Sequence, residues 1–346
     1  MKRLSILLAI AATLSACGGG GSGGAGSSAP ATVVDNRPAV DVVPTVGDFY
    51  SYRQVPIFTT ADGQPIPSQQ EYALFYTDTA IKVGNDGSWA EMGTDSTPKY
   101  YTRAESRYRS DGTLTSTEGP GDCGTTFTTL AYLAPRDWKV GAEWNETYSR
   151  VDSGSCMFNP LSKSNKAVAL ETITVKAGTF NTIKIISTTS PITDRGMTVG
   201  REDTLWLDTL THRRIKYISR IDEVSGNGSK SSSSVSGELF GYASAKQGSK
   251  NLNIERFAGH WRGSYSGTYS GDCDGEVNLT GQLDATCGDG LFSVHGDIDV
   301  NGRGTFYLTV NGVKGASFSG AFESPLSIGG AWSAGAASGT WKLEHQ

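Results

Sequence analysis

The chain has 346 residues, with 30 lysines and arginines against 35 aspartates and glutamates, which gives a formal net charge of −5. This acidic balance argues against nucleic acid as a partner and against a polybasic grip on anionic lipids. The 44 glycines, the many Thr, Ser and Tyr residues and the lack of a long helical period predict an all-β protein with two antiparallel domains.

The N-terminus has the layout of a bacterial export signal. Two basic residues precede an apolar stretch at 4–14, which is too short to cross roughly 30 Å of hydrocarbon as a helix. The stretch ends in Leu14-Ser15-Ala16-Cys17, which resembles the lipobox of bacterial lipoproteins. The resemblance implies a signal peptide over residues 1–16 and a diacylglyceryl group on the sulfur of Cys17. The alternative is an ordinary secretory signal with a chance cysteine.

Residues 17–44 form the predicted tether. Residues 18–29 are entirely Gly, Ser and Ala, a composition that cannot bury enough apolar surface to fold. Gly18 stands where enterobacterial lipoproteins retained in the inner membrane carry Asp, so the resemblance implies the outer membrane, facing the periplasm or the cell surface. The membrane is then a partner through the acyl chains of the anchor.

Four further cysteines predict disulfides, because an even number in an exported chain normally pairs. They are Cys123, Cys156, Cys273 and Cys287. Three pairings are open, and the simplest places one bridge in each half, Cys123–Cys156 and Cys273–Cys287. A metal site is the alternative, but no CxxC occurs and no histidine stands at ligand spacing from a cysteine. We therefore predict no metal and no cofactor.

Residues 45–245 predict one β-rich domain, a larger curved or barrel-like sheet. Alternating apolar residues such as Tyr72, Leu74 and Tyr76 mark strands, and pairs such as Asp86-Gly87 mark the turns between them. The Ser-rich run at 226–236 predicts a long exposed hairpin loop. The alternative is that this run links two domains.

One segment of this domain resembles a known signature. Thr174-Val175-Lys176-Ala177-Gly178-Thr179-Phe180-Asn181-Thr182-Ile183-Lys184-Ile185 is similar to the V-x-A-G-T-F-x-A/T-x-K-I pattern of β-rich bacterial periplasmic and lipoprotein domains, mostly of unknown function. The resemblance implies a tight turn at Gly178, then an aromatic strand and a basic strand. We expect Trp206 and Tyr217 to pair across the hairpin formed by the latter two strands.

The basic strand offers three candidate site residues, Arg213, Arg214 and Lys216. They are suited to binding an anion such as phosphate or a lipid head group, and the alternative is a solvated strand face. His212 stands beside them, with Asp208 near in sequence, but no nucleophile motif such as G-x-S-x-G is present. We therefore predict no catalytic residues.

Residues 246–253 predict a linker, and residues 254–346 a smaller domain. Trp261, Tyr265 and Tyr269 alternate with glycines, and Asn301-Gly302 and Asn311-Gly312 predict tight hairpins. The opening G-x-W-x-G-x-Y and the closing G-x-W and G-T-W patterns resemble Gly-rich bacterial β modules, and the opening also resembles lipocalin-type barrels. The resemblance implies a small antiparallel barrel or sandwich filled by its own side chains.

Two acidic turns in the smaller domain imitate the start of a calcium loop. The segment 297–302 reads D-x-D-x-N-G, but position twelve is Leu308 instead of Glu or Asp. The segment 272–276 is an acidic hairpin tip beside a cysteine. We interpret both as structural turns, with Ca²⁺ binding as the alternative.

These features favour a non-enzymatic binding or structural module of the cell envelope, whose ligand would be an envelope protein, a glycan or a lipid. The first alternative is a hydrolase of envelope polymers with a carboxylate pair in the larger domain. Two close carboxylates of raised pKa in a deep cleft would favour it. The second alternative is a carrier of a lipid or small apolar molecule, which requires an apolar cavity.

Overall fold

The computed structural model describes residues 43–59, 64, 74–96, 103–110, 112, 114–118, 125–131, 139–148, 150–152, 161–194, 197–310 and 313–346. Cys17, Cys123, Cys156, most of the predicted tether and the Asn311-Gly312 pair lie outside them. The described residues form 22 β-strands and one 3-10 helix, Ile254–Phe257, and every strand pairing is antiparallel. No helix within these ranges is long and apolar enough to cross a membrane.

Fourteen strands build one large sheet. They are β1 Phe49–Thr59, β2 Leu74–Val83, β3 Trp89–Asp95, β4 Arg103–Tyr108, β5 Leu114–Glu118, β6 Thr125–Ala131, β7 Glu143–Tyr148, β8 Arg150–Asp152, β9 Leu161–Val175, β10 Gly178–Asp194, β11 Met197–Asp208, β12 Arg214–Val224, β13 Lys230–Ser244 and β14 Gly248–Lys250.

Eight strands close into a separate barrel. They are β15 Gly259–Gly267, β16 Gly271–Val277, β17 Gln282–Cys287, β18 Phe292–Ile298, β19 Arg303–Val310, β20 Val313–Ser324, β21 Ser327–Ala334 and β22 Ala337–His345. The predicted all-β class with two antiparallel sheets is therefore confirmed, and the smaller sheet is a barrel and not a sandwich.

The large sheet curls until its two edges meet. The strand order is β7-β9-β10-β11-β12-β13-β1-β2-β3-β4-β5-β6-β8, with β14 beside β13. The edge strands β7 and β8 are consecutive in the chain, because β7 ends at Tyr148 and β8 begins at Arg150. Strands separated by one residue follow each other end to end, so the two edges of the sheet come together at this point and the sheet wraps round an interior. The interior of a wrapped sheet widens with the number of its strands. Eight strands enclose only enough space for their own side chains, whereas twelve or more enclose additional space.

The Ser-rich run at 226–236 is mostly strand, so the prediction of a long exposed loop was wrong. The turn is short, with the amide of Ser225 donating to the carbonyl of Ser229 and that of Gly228 donating to Ser225. Strand β13 then begins at Lys230 and pairs with β12 and β1 on its two sides. Hydrogen bonds to these two strands satisfy the backbone groups of the segment. Apart from buried Val235, its side chains contribute little packing.

The small barrel is filled by its own aromatic side chains, as eight strands require. Trp261 and Phe306 are fully enclosed, Trp341 packs against Phe306, and Trp332 packs against Phe318. Gly320 makes room for one ring, because a Cβ there would stand 2.6 Å from the indole of Trp341. Tyr269, by contrast, follows the end of β15 and is 64% exposed.

The segment between the two sheets is ordered by contacts to both. Within the predicted linker, β14 pairs with β13. Arg256, in the 3-10 helix, lies 5.2 Å from the ring of Phe49 on β1 and 4.0 Å from that of Phe257. Its Nη2 also donates to the carbonyl of Val300 in a barrel turn at 2.8 Å. One buried guanidinium therefore contacts both units.

Candidate functional site

Strand register places a set of polar and aromatic side chains on the inner face of the large sheet. Side chains directly opposite each other in a sheet share a face. Tyr52 is opposite Tyr76, and Tyr50 is opposite Asp78. On the next strand the same face continues through Gly93 to Glu91, two residues away. We call this set, together with Arg213 and Arg214, the inner polar cluster.

An ion pair crosses the interior and shows how tightly the sheet is curled. Arg213, directly before β12, contacts Glu91 on β3 at 2.5 Å between Nη2 and Oε1. Three strands, β13, β1 and β2, separate β12 from β3 in the sheet. The guanidinium also lies 4.5 Å from the ring of Tyr50. Glu91 is thus held by a buried partner across the interior.

Arg214 lies between two tyrosine rings on the same face. Its guanidinium carbon is 4.8 Å from the ring centre of Tyr52 and 4.5 Å from that of Tyr217. Burial by itself would lower the pKa of Arg214, but Tyr217, Tyr52 and Asp78 outweigh it and raise the pKa above its ordinary value. Arg214 is therefore a fixed cation, and its Nε has no hydrogen-bond partner among the described residues.

Asp78 is the titrating member of the cluster. Burial, and then the nearby charge of Glu91, raise its pKa from 3.8 to about 6, although Arg214 and a hydrogen bond from Tyr76 act in the opposite direction. Asp78 and Arg214 are nonetheless only half-buried. Charged groups that face inward and still touch solvent indicate that the interior is open to water at this level.

The hairpin carrying the V-x-A-G-T-F segment closes over the interior beside this cluster. Its turn has Gly178 at φ +137°, as the predicted tight turn requires. The amide of Ala177 donates to the carbonyl of Leu239 on β13, although two strands separate β10 from β13. Val175 and Ala177 belong to the same buried cluster as Tyr50 and Tyr76. The hairpin tip therefore leaves the sheet plane and covers part of the inner face.

A second polar group lies further along the inner face. Asp203 is buried and contacts Arg201 at 2.8 Å and Lys163 at 3.5 Å. Burial would raise the pKa of Asp203, but Arg201 and Lys163 outweigh it and hold that pKa below its usual value. Asn165 and Ser187 are hydrogen-bonded beside it. The apolar residues of the interior, including Ile183 and Leu205, fill the space between the two polar groups.

The three basic residues that the sequence singled out do not form one cluster. Arg213 and Arg214 face inward, where carboxylates and tyrosines surround them. Lys216 faces outward, 5.4 Å from the ring of Trp206, because a β-bulge shifts the register between Trp206 and Leu207. The expected pairing of Trp206 with Tyr217 is also wrong, since Trp206 is opposite Lys216 and Tyr217 is opposite Leu205. The alternative of a solvated strand face therefore fits only Lys216.

Asp208 has a local structural role. Its Oδ2 accepts hydrogen bonds from the amide of Thr211 at 3.0 Å and from the hydroxyl of Thr211 at 2.6 Å. The turn it stabilises places His212 at a φ of +58°. Arg213 and Arg214 follow this turn directly, so the turn helps to place their side chains on the inner face of the sheet.

In the small barrel, Cys273 and Cys287 are joined by a disulfide, with their Cα atoms 4.1 Å apart and directly opposite in register. An open depression of about 600 Å³ lies beside it, lined by Asp272, Asp274 and Asp289 among others. Asp274 is already paired, with His260 at 2.6 Å and Arg262 at 2.5 Å.

The other acidic turn also has a local explanation. Asp299 accepts hydrogen bonds from the amides of Asn301 and Arg303, both at 2.8 Å. These bonds, led by that from Arg303, lower its pKa. No group of three or more His, Cys, Asp or Glu side chains within the described ranges is arranged to hold a metal ion.

Sequence reasoning missed Asp78 and Glu91. Both stand in strands without any recognisable motif, and their importance depends on which face they share with residues distant in sequence. A parity argument on β2, starting from Tyr76, would have placed Asp78 on the tyrosine face. Nothing local would have paired Glu91 with Arg213.

Comparisons with known proteins show a weak likeness to solved structures. No family model and no curated protein matches the chain. A crystal structure of a protein named as exported, with a YmcC-like fold, from Bacteroides fragilis NCTC 9343 is 14% identical; the match covers 56% of this chain and 95% of that one, with a TM-score of 0.34. A protein named as a lipoprotein from Parabacteroides distasonis ATCC 8503 is 12% identical; the match covers 58% and 98%, with a TM-score of 0.26.

Proposed function

We propose that this protein is a lipid-anchored, non-enzymatic binding module of the bacterial cell envelope, and that the inner face of its large sheet is the binding surface. The export signal, the lipobox-like Leu14-Ser15-Ala16-Cys17 and the tether over residues 17–44 support the anchor. The outer membrane is the proposed location, on its periplasmic or outer side.

The observation that carries the binding role is the polar lining of a wrapped sheet. Soluble barrels without a ligand are normally filled by apolar side chains, as the small barrel is. Here Gln54 is 3% exposed, on the face shared with Tyr52. Its Nε2 and the Nε of Arg214 are buried without hydrogen-bond partners among the described residues. An unpaired buried donor costs about 1–3 kcal/mol, so a ligand with acceptor atoms would recover that energy.

A hydrolase is the second candidate, and one observation favours it. Asp78 has a pKa of about 6 and lies near a second carboxylate, Glu91, as a general acid and its partner would. Against this, the Oε1 of Glu91 is held by the Nη2 of Arg213 at 2.5 Å, so this carboxylate is engaged in an ion pair across the interior and is not placed to act on a substrate. A carrier of acyl chains has less support, because the four charged groups of the inner polar cluster, and Asp203 with Lys163 further along, line the inner face.

Site-specific photo-crosslinking in the native envelope tests the binding role. A photoreactive phenylalanine analogue at Tyr108, which is opposite Trp89 on the inner face, should capture a ligand. The matched control is the same analogue at Ile218, which shares the outward face of β12 with Lys216 and is 39% exposed. Capture at Tyr108 alone supports the proposal. If nothing is captured and the purified protein cleaves peptidoglycan or another envelope polymer, with loss of cleavage in Asp78→Asn, the protein is a hydrolase.

The anchor has a separate test. A Cys17→Ser variant should lose labelling by an alkyne-tagged fatty acid and should be released from the membrane fraction. Unchanged labelling would overturn the lipoprotein assignment. It would not affect the proposed binding role of the inner face.

A further inference from the structure

We propose that the inner polar cluster binds a neutral saccharide, with Arg214 as a hydrogen-bond donor and Tyr108 as a stacking platform. The inference rests on the proposed binding role of the inner face and names the chemical class of its ligand.

The charges of the cluster cancel. Two arginines, Arg213 and Arg214, face two carboxylates, Asp78 and Glu91, and one pair of these is a direct ion pair. An anionic ligand would meet the carboxylates, and a cationic ligand would meet the arginines. Like-charge contacts of this kind are strongly unfavourable at close range, so the cluster favours a ligand without net charge.

The cluster and Gln54, which lies on the same face two residues from Tyr52, offer both hydrogen-bond donors and acceptors. Gln54 Nε2 and Arg214 Nε are donors without partners among the described residues, and the half-buried carboxyl group of Asp78 is an acceptor. A hydroxyl group both donates and accepts, so a molecule carrying several hydroxyls can satisfy both kinds at once. An apolar ligand would leave all three unsatisfied.

An aromatic pair supplies the apolar surface that a sugar ring also needs. Trp89 and Tyr108 are stacked, with ring centres 5.0 Å apart and planes inclined by 14°. Trp89 is buried, whereas Tyr108 is half-buried, so Tyr108 presents its ring with a rigid backing. Tyr108 is directly opposite Trp89, which stands two residues from Glu91 on β3, so its ring lies beside the cluster. Aromatic walls with a few placed polar groups are typical of small-molecule sites.

The test uses the mature protein purified from membranes in mild detergent. Envelope glycans of the producing bacterium are separated by anion exchange into neutral and acidic fractions, and binding of each fraction is measured by titration calorimetry. We expect the neutral fraction to bind. Arg214→Lys and Tyr108→Ala should each weaken that binding at least tenfold, whereas Arg220→Lys, on an exposed position of the same strand, should not change it.

Other outcomes overturn the inference in distinguishable ways. Binding of the acidic fraction alone, or no binding of either fraction, excludes a neutral saccharide. Neutral glycan binding that survives both substitutions places the saccharide elsewhere on the protein. If a protein or a lipid is crosslinked at Tyr108 while neutral glycans fail to bind, the binding role stands and only the ligand class is wrong. Circular dichroism identifies a variant that has not folded, and the other variant then decides.

Discussion

Arg213 and Glu91 join two strands that are not neighbours in the sheet. Their ion pair measures 2.5 Å, and their side chains are 16% and 5% exposed. Because three strands lie between β12 and β3, this contact spans the interior of the curled sheet. It therefore reports on the closure of the larger domain in a way that pairing between adjacent strands does not.

Breaking this pair should destabilise the larger domain strongly. Removing one partner of a buried pair leaves an uncompensated charge and typically costs about 3–5 kcal/mol. We expect Glu91→Gln to lower the free energy of unfolding by that amount in urea titrations. The double variant Glu91→Gln/Arg213→Met should recover much of the loss, because it removes the stranded charge.

A surface pair is the matched control for this experiment. Glu105 and Arg107 contact each other at 2.7 Å on β4, but their side chains are 26% and 49% exposed. Glu105→Gln should therefore cost less than about 1 kcal/mol. Equal costs for Glu91→Gln and Glu105→Gln would show that the interior is solvated well enough to screen the Arg213 charge.

Asp78 should make the stability of the protein depend on pH. Because folding raises its pKa from 3.8 to about 6, the folded state binds this proton more tightly than the unfolded chain does. The resulting stabilisation is complete below about pH 3.8 and is lost as the pH rises through about 6. At about 1.4 kcal/mol per pH unit, the loss amounts to at most about 3 kcal/mol.

Asp78→Asn isolates this contribution. Between pH 4 and pH 7 the wild-type protein should lose up to about 3 kcal/mol more stability than the variant, measured by urea unfolding at each pH. Asp222→Asn, on an exposed side chain, should follow the wild type. Parallel curves for the wild type and Asp78→Asn would mean that the pKa of Asp78 is not raised.

The two sheets were predictable from local patterns, but the inner polar cluster was not. Gly-x-aromatic alternation and Asn-Gly turns are properties of neighbouring residues, and they led directly to the small barrel. Lys216 and Arg214 stand two positions apart, yet they face opposite sides because of a bulge that only the partner strand reveals. The interior position of Glu91 depends on the curl of the whole sheet, which results from all of its strand pairings and not from any motif.

The disulfide of the small barrel should contribute measurably to its stability. Cys273 and Cys287 are both buried in the barrel core and are separated by 14 residues in the sequence. A loop of about this length is worth about 3 kcal/mol in the chain-entropy account. We expect Cys273→Ala/Cys287→Ala to lower the stability of the barrel by about that amount in guanidinium titrations.

Reduction provides an independent check on the same bond. Dithiothreitol should shift the wild-type unfolding midpoint towards that of the double variant, and it should shift the midpoint of the double variant less. Thiol counting by mass spectrometry before reduction also tests the predicted Cys123–Cys156 bridge. A wild-type midpoint that is no more sensitive to reduction than that of the double variant would contradict a stabilising role for Cys273–Cys287.

Arg256 should couple the unfolding of the two sheets. It is 5% exposed, it lies against Phe49 of the large sheet, and it donates to Val300 of the barrel. Burial lowers its pKa to about 10, so at neutral pH it still carries its charge and both contacts depend on it. Hydrogen bonds to charged groups are worth about 1.5–3 kcal/mol. Arg256→Ala should therefore cost about 2–3 kcal/mol and separate the thermal unfolding into two transitions.

The matched control is Arg262→Ala on the barrel surface, where the side chain is 61% exposed. This substitution should leave a single transition, and a single transition in both variants would show that Arg256 does not couple the sheets.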